Sequence, residues 1–351
     1  MPFSLGDVVM TKPILEARNV SRIFAPHEDL IGKVVRTVMR QPEPSHVQAL
    51  SNISLALNTG EVLGIVGESG CGKSTLGRIL AGILQPSSGS IAFQGTPLSA
   101  MDPATRVKTF LKIQMIFQDP MSSLNPRKRV SDLIAEAPLV HGLLDPKDRD
   151  DFVYNALTRV GLDPDTLSRF PHQFSGGQRQ RINIARALAV TPEILICDES
   201  VAALDVSIQA QILNVFMALK EEGRLTFMFI SHDLGVVEHL CDRVAILYLG
   251  KVVELGTVEA LFQAPQHPYT QVLLNEIPRI GTGKRRFNPI RGEIPSPLSP
   301  PSGCPFHPRC PHSITECKQR MPGLQEVGHE HLAACHLLNG TTSHPLMELS
   351  K

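Results

Sequence analysis

The sequence predicts an α/β domain with a largely parallel β-sheet, followed by a small, irregular C-terminal domain that contains cysteines. Residues 13–265 alternate short β-branched runs with helical stretches, a pattern typical of such a sheet. After Pro265, proline and histidine become frequent and the apolar periodicity fades. We therefore expect an N-terminal tail at residues 1–12, a main domain at residues 13–268 and a C-terminal extension at residues 269–351.

The composition and charge of the chain exclude some classes of function. Its 351 residues include 34 Lys and Arg and 34 Asp and Glu. Without a net positive charge, the chain is not expected to bind nucleic acid or an anionic membrane nonspecifically. No apolar run reaches the roughly 18 to 20 residues that span a bilayer, and the start of the chain lacks the basic and apolar pattern of a signal peptide. The sequence therefore predicts a cytosolic protein.

Short apolar runs predict the individual strands of the parallel sheet. They are Val62–Val66, Ile113–Phe117, Ile194–Cys197, Phe227–Ile230 and Val244–Leu247. Prolines flank a segment of mixed charge at about residues 25–46, which predicts an insertion between an opening strand and a strand that starts near Val47.

A glycine-rich loop lies between the first of these runs and a helical stretch that begins at Leu76. It reads Gly67-Glu68-Ser69-Gly70-Cys71-Gly72-Lys73-Ser74-Thr75, which fits the pattern G-x-x-x-x-G-K-S. In such a loop, backbone N–H groups and the positive end of a helix dipole surround phosphate oxygens. Lys73 is expected at the β- and γ-phosphates and Ser74 at Mg²⁺. The sequence therefore predicts a nucleoside triphosphate site, of a kind that ATPases and kinases share.

Two further motifs carry groups suited to phosphate chemistry. Ser175-Gly176-Gly177-Gln178 opens a helix, where it can grip a phosphate or act only as a helix N-cap. The apolar run at Ile194 ends in Asp198 and Glu199. Asp198 suits Mg²⁺ coordination through water, and Glu199 is placed to polarise an attacking water.

In their order along the chain these motifs resemble those of the ATP-binding-cassette ATPases, over residues 14–265. The resemblance also rests on Phe117-Gln118-Asp119-Pro120, Ala203-Leu204-Asp205 and Ser231-His232-Asp233. It implies a P-loop NTPase cassette, in which an antiparallel β subdomain and a helical subdomain join a RecA-like core. It also implies an ATPase rather than a kinase, with two cassettes facing head to tail and each ATP held between them.

Roles for individual residues follow from the same resemblance. Gln118 is assigned to Mg²⁺ and to positioning of the attacking water, and His232 to a contact with the γ-phosphate. Asp205 is assigned to communication across the dimer, and Ser175-Gly176-Gly177-Gln178 to the ATP bound by the facing cassette. Phe24 matches the aromatic residue that stacks on adenine, with an ordinary core phenylalanine as the alternative.

The segment His267-Pro268-Tyr269-Thr270, with the extension after it, resembles the ATPases of oligopeptide, dipeptide and nickel importers. The resemblance implies the ATP-hydrolysing subunit of an importer for peptides or related small solutes. It implies as partners a second, related ATPase in a heterodimer, two transmembrane permease subunits and, through the permease, an extracytoplasmic solute-binding protein. The subunit is then expected at the cytoplasmic face of the inner membrane. A soluble cassette ATPase acting on nucleic acid or ribosomes, and a redox- or metal-sensing ATPase, are the alternatives.

Four cysteines of the extension are candidates for a metal site: Cys304, Cys310, Cys317 and Cys335. Four thiolates from one small region can enclose one metal centre, and the Cys-Pro pairs are typical of iron–sulfur loops. Some members of the importer group carry a [4Fe–4S] cluster, so the resemblance predicts one here. Zinc is the first alternative, with nearby histidines as substitute ligands, and free thiols are the second; the histidines are His307, His312 and His336.

Overall fold

The computed structural model describes residues 13–25, 46–202, 204–275 and 292–339. The predicted N-terminal tail and most of the predicted insertion lie outside these residues, as does Ala203. Within the described ranges, no helix is both long enough and apolar enough to cross a bilayer.

Among the described residues, the larger β-sheet contains eight strands. In spatial order they are β11 (Gln325–Gly328), β12 (His331–Ala333), β10 (Lys251–Thr257), β9 (Arg243–Tyr248), β3 (Val62–Val66), β8 (Thr226–Ser231), β7 (Ile194–Asp198) and β6 (Ile113–Ile116). The strands from β9 to β6 are parallel, whereas β10, β12 and β11 run antiparallel to their neighbours. The parallel strands read as apolar runs because both faces of the sheet are covered. The predicted strands are confirmed, with boundaries that differ by no more than one residue.

A smaller antiparallel sheet covers one face of the larger one. It consists of β1 (Pro13–Phe24), β2 (Val47–Asn58), β4 (Ser88–Phe93) and β5 (Thr96–Pro97), in the spatial order β2-β1-β4-β5. Leu15 of β1 and Leu50 of β2 share a core with Ile65 of β3 and with Leu76 of the helix that follows β3. The two sheets are therefore joined by burial of their apolar side chains.

The described residues also form α-helices. They are α1 (Lys73–Leu80), α2 (Pro103–Leu111), α3 (Val130–Val140), α4 (Arg149–Arg159), α5 (Gly176–Leu188), α6 (Val206–Glu221), α7 (Leu234–Leu240), α8 (Val258–Gln263), α9 (Pro268–Asn275) and α10 (Thr315–Gln319). Helices α3, α4 and α5 pack on one another. On the second face of the sheet, Phe216 of α6 packs edge-on against Phe227 and Phe229 of β8, with ring centroids 6.3 and 5.7 Å apart.

The C-terminal extension adds its strands to the larger sheet. In the pairing of β12 with β10, Ala333 lies opposite Glu254, and the N–H of Ala334 donates to the carbonyl of Val253 at 2.8 Å. The fully buried carboxylate of Glu254 accepts a hydrogen bond from Nε2 of His331 at 2.7 Å. The extension is thus joined to the main domain by backbone and side-chain bonds.

The carboxyl ends of four parallel strands meet at one edge of the sheet, because the strands run in the same direction. The phosphate loop, Gly67–Thr75, follows β3, and Gln118 follows β6. Glu199 follows β7, and His232 follows β8. Side chains that are far apart in the sequence are thereby placed around one site.

Candidate active site

The phosphate loop depends on glycines whose backbone is in the left-handed region. Gly70 has a φ of 78°, and Gly72, the residue before α1, has a φ of 105°. A Cβ atom added to Gly72 would lie 2.5 Å from the carbonyl oxygen of Ala49. Gly72 therefore needs to be glycine for two reasons, its conformation and the close approach of β2.

Lys73 is buried inside this loop. Its ammonium donates to the carbonyl oxygens of Gly67 and Glu68 at 2.8 and 3.0 Å. The same nitrogen lies 3.9 Å from Oε1 of Glu199. A positive charge is thus held between the loop and the end of β7, where it can neutralise phosphate oxygens.

Ser74 and Asp198 form a pair suited to Mg²⁺. The hydroxyl of Ser74 donates to Oδ1 of Asp198 at 2.7 Å. Burial raises the pKa of the Asp198 carboxyl, and the hydrogen bond from Ser74 opposes that rise. Mg²⁺ prefers oxygen ligands and takes only one or two carboxylates from the protein, with phosphate oxygens and water completing its shell. The residues present therefore fit the ion that the sequence predicts.

Glu199 is the point at which the other candidate catalytic groups meet. Its Oε2 accepts a hydrogen bond from Nε2 of Gln118 at 2.8 Å, and its Oε1 lies 3.6 Å from Nδ1 of His232. Its φ of 45° is uncommon for a residue with a side chain. The backbone N–H of Glu199 donates to the carbonyl of Ile230 at 3.0 Å, which fixes this conformation. Strain of this kind is often found at functional sites.

The second glycine motif, Ser175–Gln178, is exposed at the start of α5, except for Gly177, which is buried. Ser175 caps the helix, since its hydroxyl accepts from the N–H of Gln178, whose side chain accepts in turn from the N–H of Ser175. Gly177 lies so close to α6 that an added Cβ would be 2.3 Å from Cγ2 of Ile208. No hydrogen bond or ion pair between described residues joins the motif to the phosphate loop of the same chain.

The remaining predicted residues lie at the surface or in the loop. Phe24, 38% exposed at the end of β1, has its ring centroid 4.7 Å from the guanidinium carbon of Arg22, so it is not an ordinary core phenylalanine. Asp205 is exposed immediately before α6. Ser69 is exposed, Cys71 is buried, and Thr75 is half-buried within α1.

Sequence reasoning missed a set of contacts behind the phosphate loop. The backbone N–H of Glu68 donates to the hydroxyl of Tyr269 at 3.0 Å. The carboxylate of Glu68 accepts two hydrogen bonds from the guanidinium of Arg309, at 2.7 and 2.9 Å. Tyr269 belongs to a motif that the sequence singled out, but no signal pointed to Arg309, which is 241 residues from Glu68 along the chain.

The four cysteines of the extension lie in one region, and all except the half-buried Cys310 are buried. Burial raises the pKa of the Cys304 thiol to about 11 and that of Cys335 to about 12, and neighbouring thiols add to both shifts. Such burial favours neutral thiols over the thiolates that bind metals.

No metal centre is evident in this region. Among the described residues, no group of three or more His, Cys, Asp or Glu side chains is arranged to hold a metal ion. Two of the candidate histidines make other bonds, since Nδ1 of His307 lies 2.9 Å from the carbonyl oxygen of Cys304 and Nε2 of His336 lies 2.8 Å from that of Arg320. The predicted cluster and the zinc alternative are therefore not supported by the structure.

Comparisons with known proteins place the chain in a family. Residues 50–202 match the family described as ABC transporter, and residues 253–317 match the oligopeptide/dipeptide transporter, C-terminal region. The oligopeptide transport ATP-binding protein AppF of Bacillus subtilis is 47% identical over 328 residues, which are 92% of this chain and 97% of that protein. The dipeptide transport ATP-binding protein DppF of Escherichia coli is 43% identical over 333 residues, 95% of this chain and 96% of that protein.

Solved structures show the same fold. The structure of cbiO1 from Clostridium perfringens has a TM-score of 0.58 and 29% identity, covering 72% of this chain and 92% of that one. A dimeric, post-hydrolysis structure of the ATP-binding cassette MJ0796 with ADP and Pi also has a TM-score of 0.58, at 26% identity, covering 70% of this chain and 98% of that one. The predicted cassette fold is confirmed. The chain therefore belongs to the ABC transporter family, as an ATP-hydrolysing subunit of the group that carries the oligopeptide/dipeptide transporter C-terminal region.

Proposed function

We propose that this ATPase powers the uptake of dipeptides, oligopeptides or related small solutes through partner membrane subunits. The observation that carries the proposal is the match, over nearly the full length of both chains, to transport ATP-binding proteins named for oligopeptides and dipeptides. The match of residues 253–317 supports the same class of solute. In this proposal the chain works at the cytoplasmic face of the inner membrane, attached to its membrane partners.

ATP would bind at the phosphate loop, where Mg²⁺ would neutralise part of the charge of the phosphates. Lys73 would neutralise the β- and γ-phosphates, Ser74 would supply an oxygen ligand to the ion, and Asp198 would hold the ion through water. The 2.7 Å hydrogen bond between Ser74 and Asp198 supports this assignment, because it places the two oxygens side by side. Adenine stacks on Phe24, whose exposed ring at the end of β1 supports that role.

Glu199 polarises the water that attacks the γ-phosphate. Gln118 orients the same water, and His232 contacts the γ-phosphate. Distances of 2.8, 3.6 and 3.9 Å from the Glu199 carboxylate to Gln118, His232 and Lys73 support a joint role, since all three groups can act on one phosphoryl group.

Each ATP-binding site is completed by the Ser175–Gln178 motif of a facing cassette. The motif is largely exposed and has no polar contact with the phosphate loop of its own chain, which supports a role toward a partner. The structure of MJ0796 with ADP and Pi is dimeric, which supports the same arrangement. Asp205, exposed immediately before α6, transmits the state of one site to the other. The facing cassette is a second, related ATPase, and the pair works with two permease subunits and, through them, a solute-binding protein.

Purification of the chain from its native membrane in mild detergent tests the proposal. We expect two polytopic membrane proteins to copurify, and we expect vesicles that contain the complex to take up labelled dipeptide or oligopeptide only with ATP. Lys73→Ala, which removes the ammonium at the phosphates, should abolish uptake while the complex still assembles. Recovery of ribosomes or nucleic acid in place of membrane proteins would establish the alternative class instead.

The [4Fe–4S] cluster stays a prediction. It rests on the four cysteines of the extension and on the resemblance to importers that carry such a cluster, since no group of the described residues is arranged to hold a metal ion. Iron analysis of anaerobically purified protein tests it. About four iron atoms per chain in the wild type, lost in Cys317→Ser, would support the cluster, whereas iron-free wild-type protein would contradict it.

A further inference from the structure

The extension reaches the ATP site through one side chain. Arg309 lies in the turn between Cys304 and Cys310, and its side chain is only 6% exposed. Its two terminal nitrogens donate to the two carboxylate oxygens of Glu68, at 2.7 and 2.9 Å. A paired contact between two planar groups, largely shielded from water, fixes the orientation of both partners.

Arg309 is itself held rigidly. Phe306, three residues earlier in the same turn, is buried against the rings of Tyr248 and Tyr269, with both centroid distances at 5.3 Å. The guanidinium also donates to the hydroxyl of Tyr248 at 3.3 Å. Because packing already orders this turn, little further conformational entropy is lost when Arg309 binds Glu68.

Glu68 connects this anchor to the groups that meet the phosphates. Its N–H donates to the hydroxyl of Tyr269, its carboxylate accepts from Arg309, and its carbonyl accepts from the ammonium of Lys73 at 3.0 Å. A movement of Glu68 therefore displaces a hydrogen-bond partner of Lys73. The charge of Glu68 also matters, because an unpaired carboxylate in the loop would repel a bound triphosphate.

We propose that Arg309 is a positioning residue of the ATP site, which holds Glu68 and so keeps the first half of the phosphate loop in the conformation that binds the triphosphate. The proposal rests on the assignment of Gly67–Thr75 to ATP. Arg309 does not touch the phosphates in this scheme, so its loss weakens binding of the ground state and the transition state alike. The expected signature is a higher KM for ATP with little change in kcat.

The test compares Arg309→Gln with a matched control on the same extension, Arg320→Gln. Arg320 is exposed and forms an ion pair with Glu316, four residues earlier in the same segment. This ion pair does not involve the phosphate loop. In the assembled transporter, we expect Arg309→Gln to raise KM for ATP, and Kd for Mg·ATP by calorimetry, about tenfold, with kcat within about twofold of the wild type. Arg320→Gln should match the wild type. Arg309→Lys, which keeps the charge without the paired geometry, should recover part of the affinity.

A double-mutant cycle with Glu68→Gln separates positioning from a general loss of folding. If Arg309 acts through Glu68, replacing Arg309 in the Glu68→Gln background should change Kd by less than about twofold. A tenfold loss that persists in that background would overturn the proposal, as would wild-type affinity in a folded Arg309→Gln protein. Circular dichroism and thermal unfolding report whether each variant is folded.

Lys73→Ala distinguishes failure of this inference from failure of the ATP-site assignment. If Lys73→Ala binds and hydrolyses ATP as the wild type does, the loop is not the ATP site and the assignment itself fails. If Lys73→Ala is inactive while Arg309→Gln keeps the wild-type KM, the assignment stands and only the role of Arg309 is rejected.

Discussion

At the scale of single residues, groups that follow three different strands lie around the Glu199 carboxylate. It receives a hydrogen bond from the loop after β6 and lies within 4 Å of groups that follow β3 and β8. Its side chain is 15% exposed, so the carboxylate is largely shielded from bulk solvent. Its backbone is in the left-handed region, with a φ of 45°.

Replacing Glu199 by Gln should separate ATP binding from hydrolysis. The amide keeps the size of the side chain but cannot polarise water as a carboxylate does, so we expect turnover to fall by at least about a hundredfold. Binding of Mg·ATP, measured by calorimetry, should be retained. Glu193→Gln is the matched control, because Glu193 pairs with Lys112 at the surface, and its ATPase rate should be unchanged. Normal turnover by Glu199→Gln would reject the proposed role.

At the scale of elements, the phosphate loop requires both a permissive backbone and space. Gly72→Ala should abolish measurable ATP binding, because the new methyl group meets the Ala49 carbonyl and the left-handed conformation becomes unfavourable. Gly60→Ala is the control, since Gly60 also has a positive φ, 78°, but its added Cβ meets nothing within 4 Å. It should cost about 1 to 2 kcal/mol of stability without a change in ATP affinity. Equal ATP affinity in the two variants would show that space at Gly72 is not limiting.

The elements differ in how well the sequence predicts them. The parallel strands are predictable because each is a local apolar run that must be buried on both faces. The positive φ of Glu199 is not predictable, because glycine or asparagine would be expected at a position with a positive φ. The hydrogen bond from its N–H to the carbonyl of Ile230 is a contact with another strand, which the local sequence does not indicate. The ion pair of Arg309 with Glu68 is equally hidden, because it depends on how the extension folds back over a separation of 241 residues.

At the scale of the whole molecule, a buried polar junction around Glu254 connects the extension and the cassette. Glu254 of β10 accepts hydrogen bonds from the N–H groups of Gln266 and His267, at 2.7 and 2.9 Å, and from His331 of β12. Nδ1 of His267 in turn accepts from the N–H of Tyr269, the residue that holds Glu68. A chain of hydrogen bonds therefore leads from the buried Glu254 through His267 and Tyr269 to Glu68 of the phosphate loop.

This junction should make the stability of the protein depend on pH. Burial lowers the pKa of His267 to about 4 from its ordinary 6.5, although the Glu254 carboxylate opposes that shift. Between these values the unfolded chain binds a proton that the folded chain does not, so stability falls as the pH falls below about 6.5. At pH 5 the loss from this group amounts to about 2 kcal/mol relative to pH 7, seen as a lower melting temperature in calorimetry.

The variant His267→Asn should remove most of this pH dependence. An asparagine side chain does not titrate, and its amide oxygen can accept the bond from the N–H of Tyr269. His141→Asn is the control, because His141 is exposed, and its melting temperature should fall between pH 7 and pH 5 as in the wild type. If His267→Asn and the wild type lose the same stability on acidification, His267 is not the responsible group.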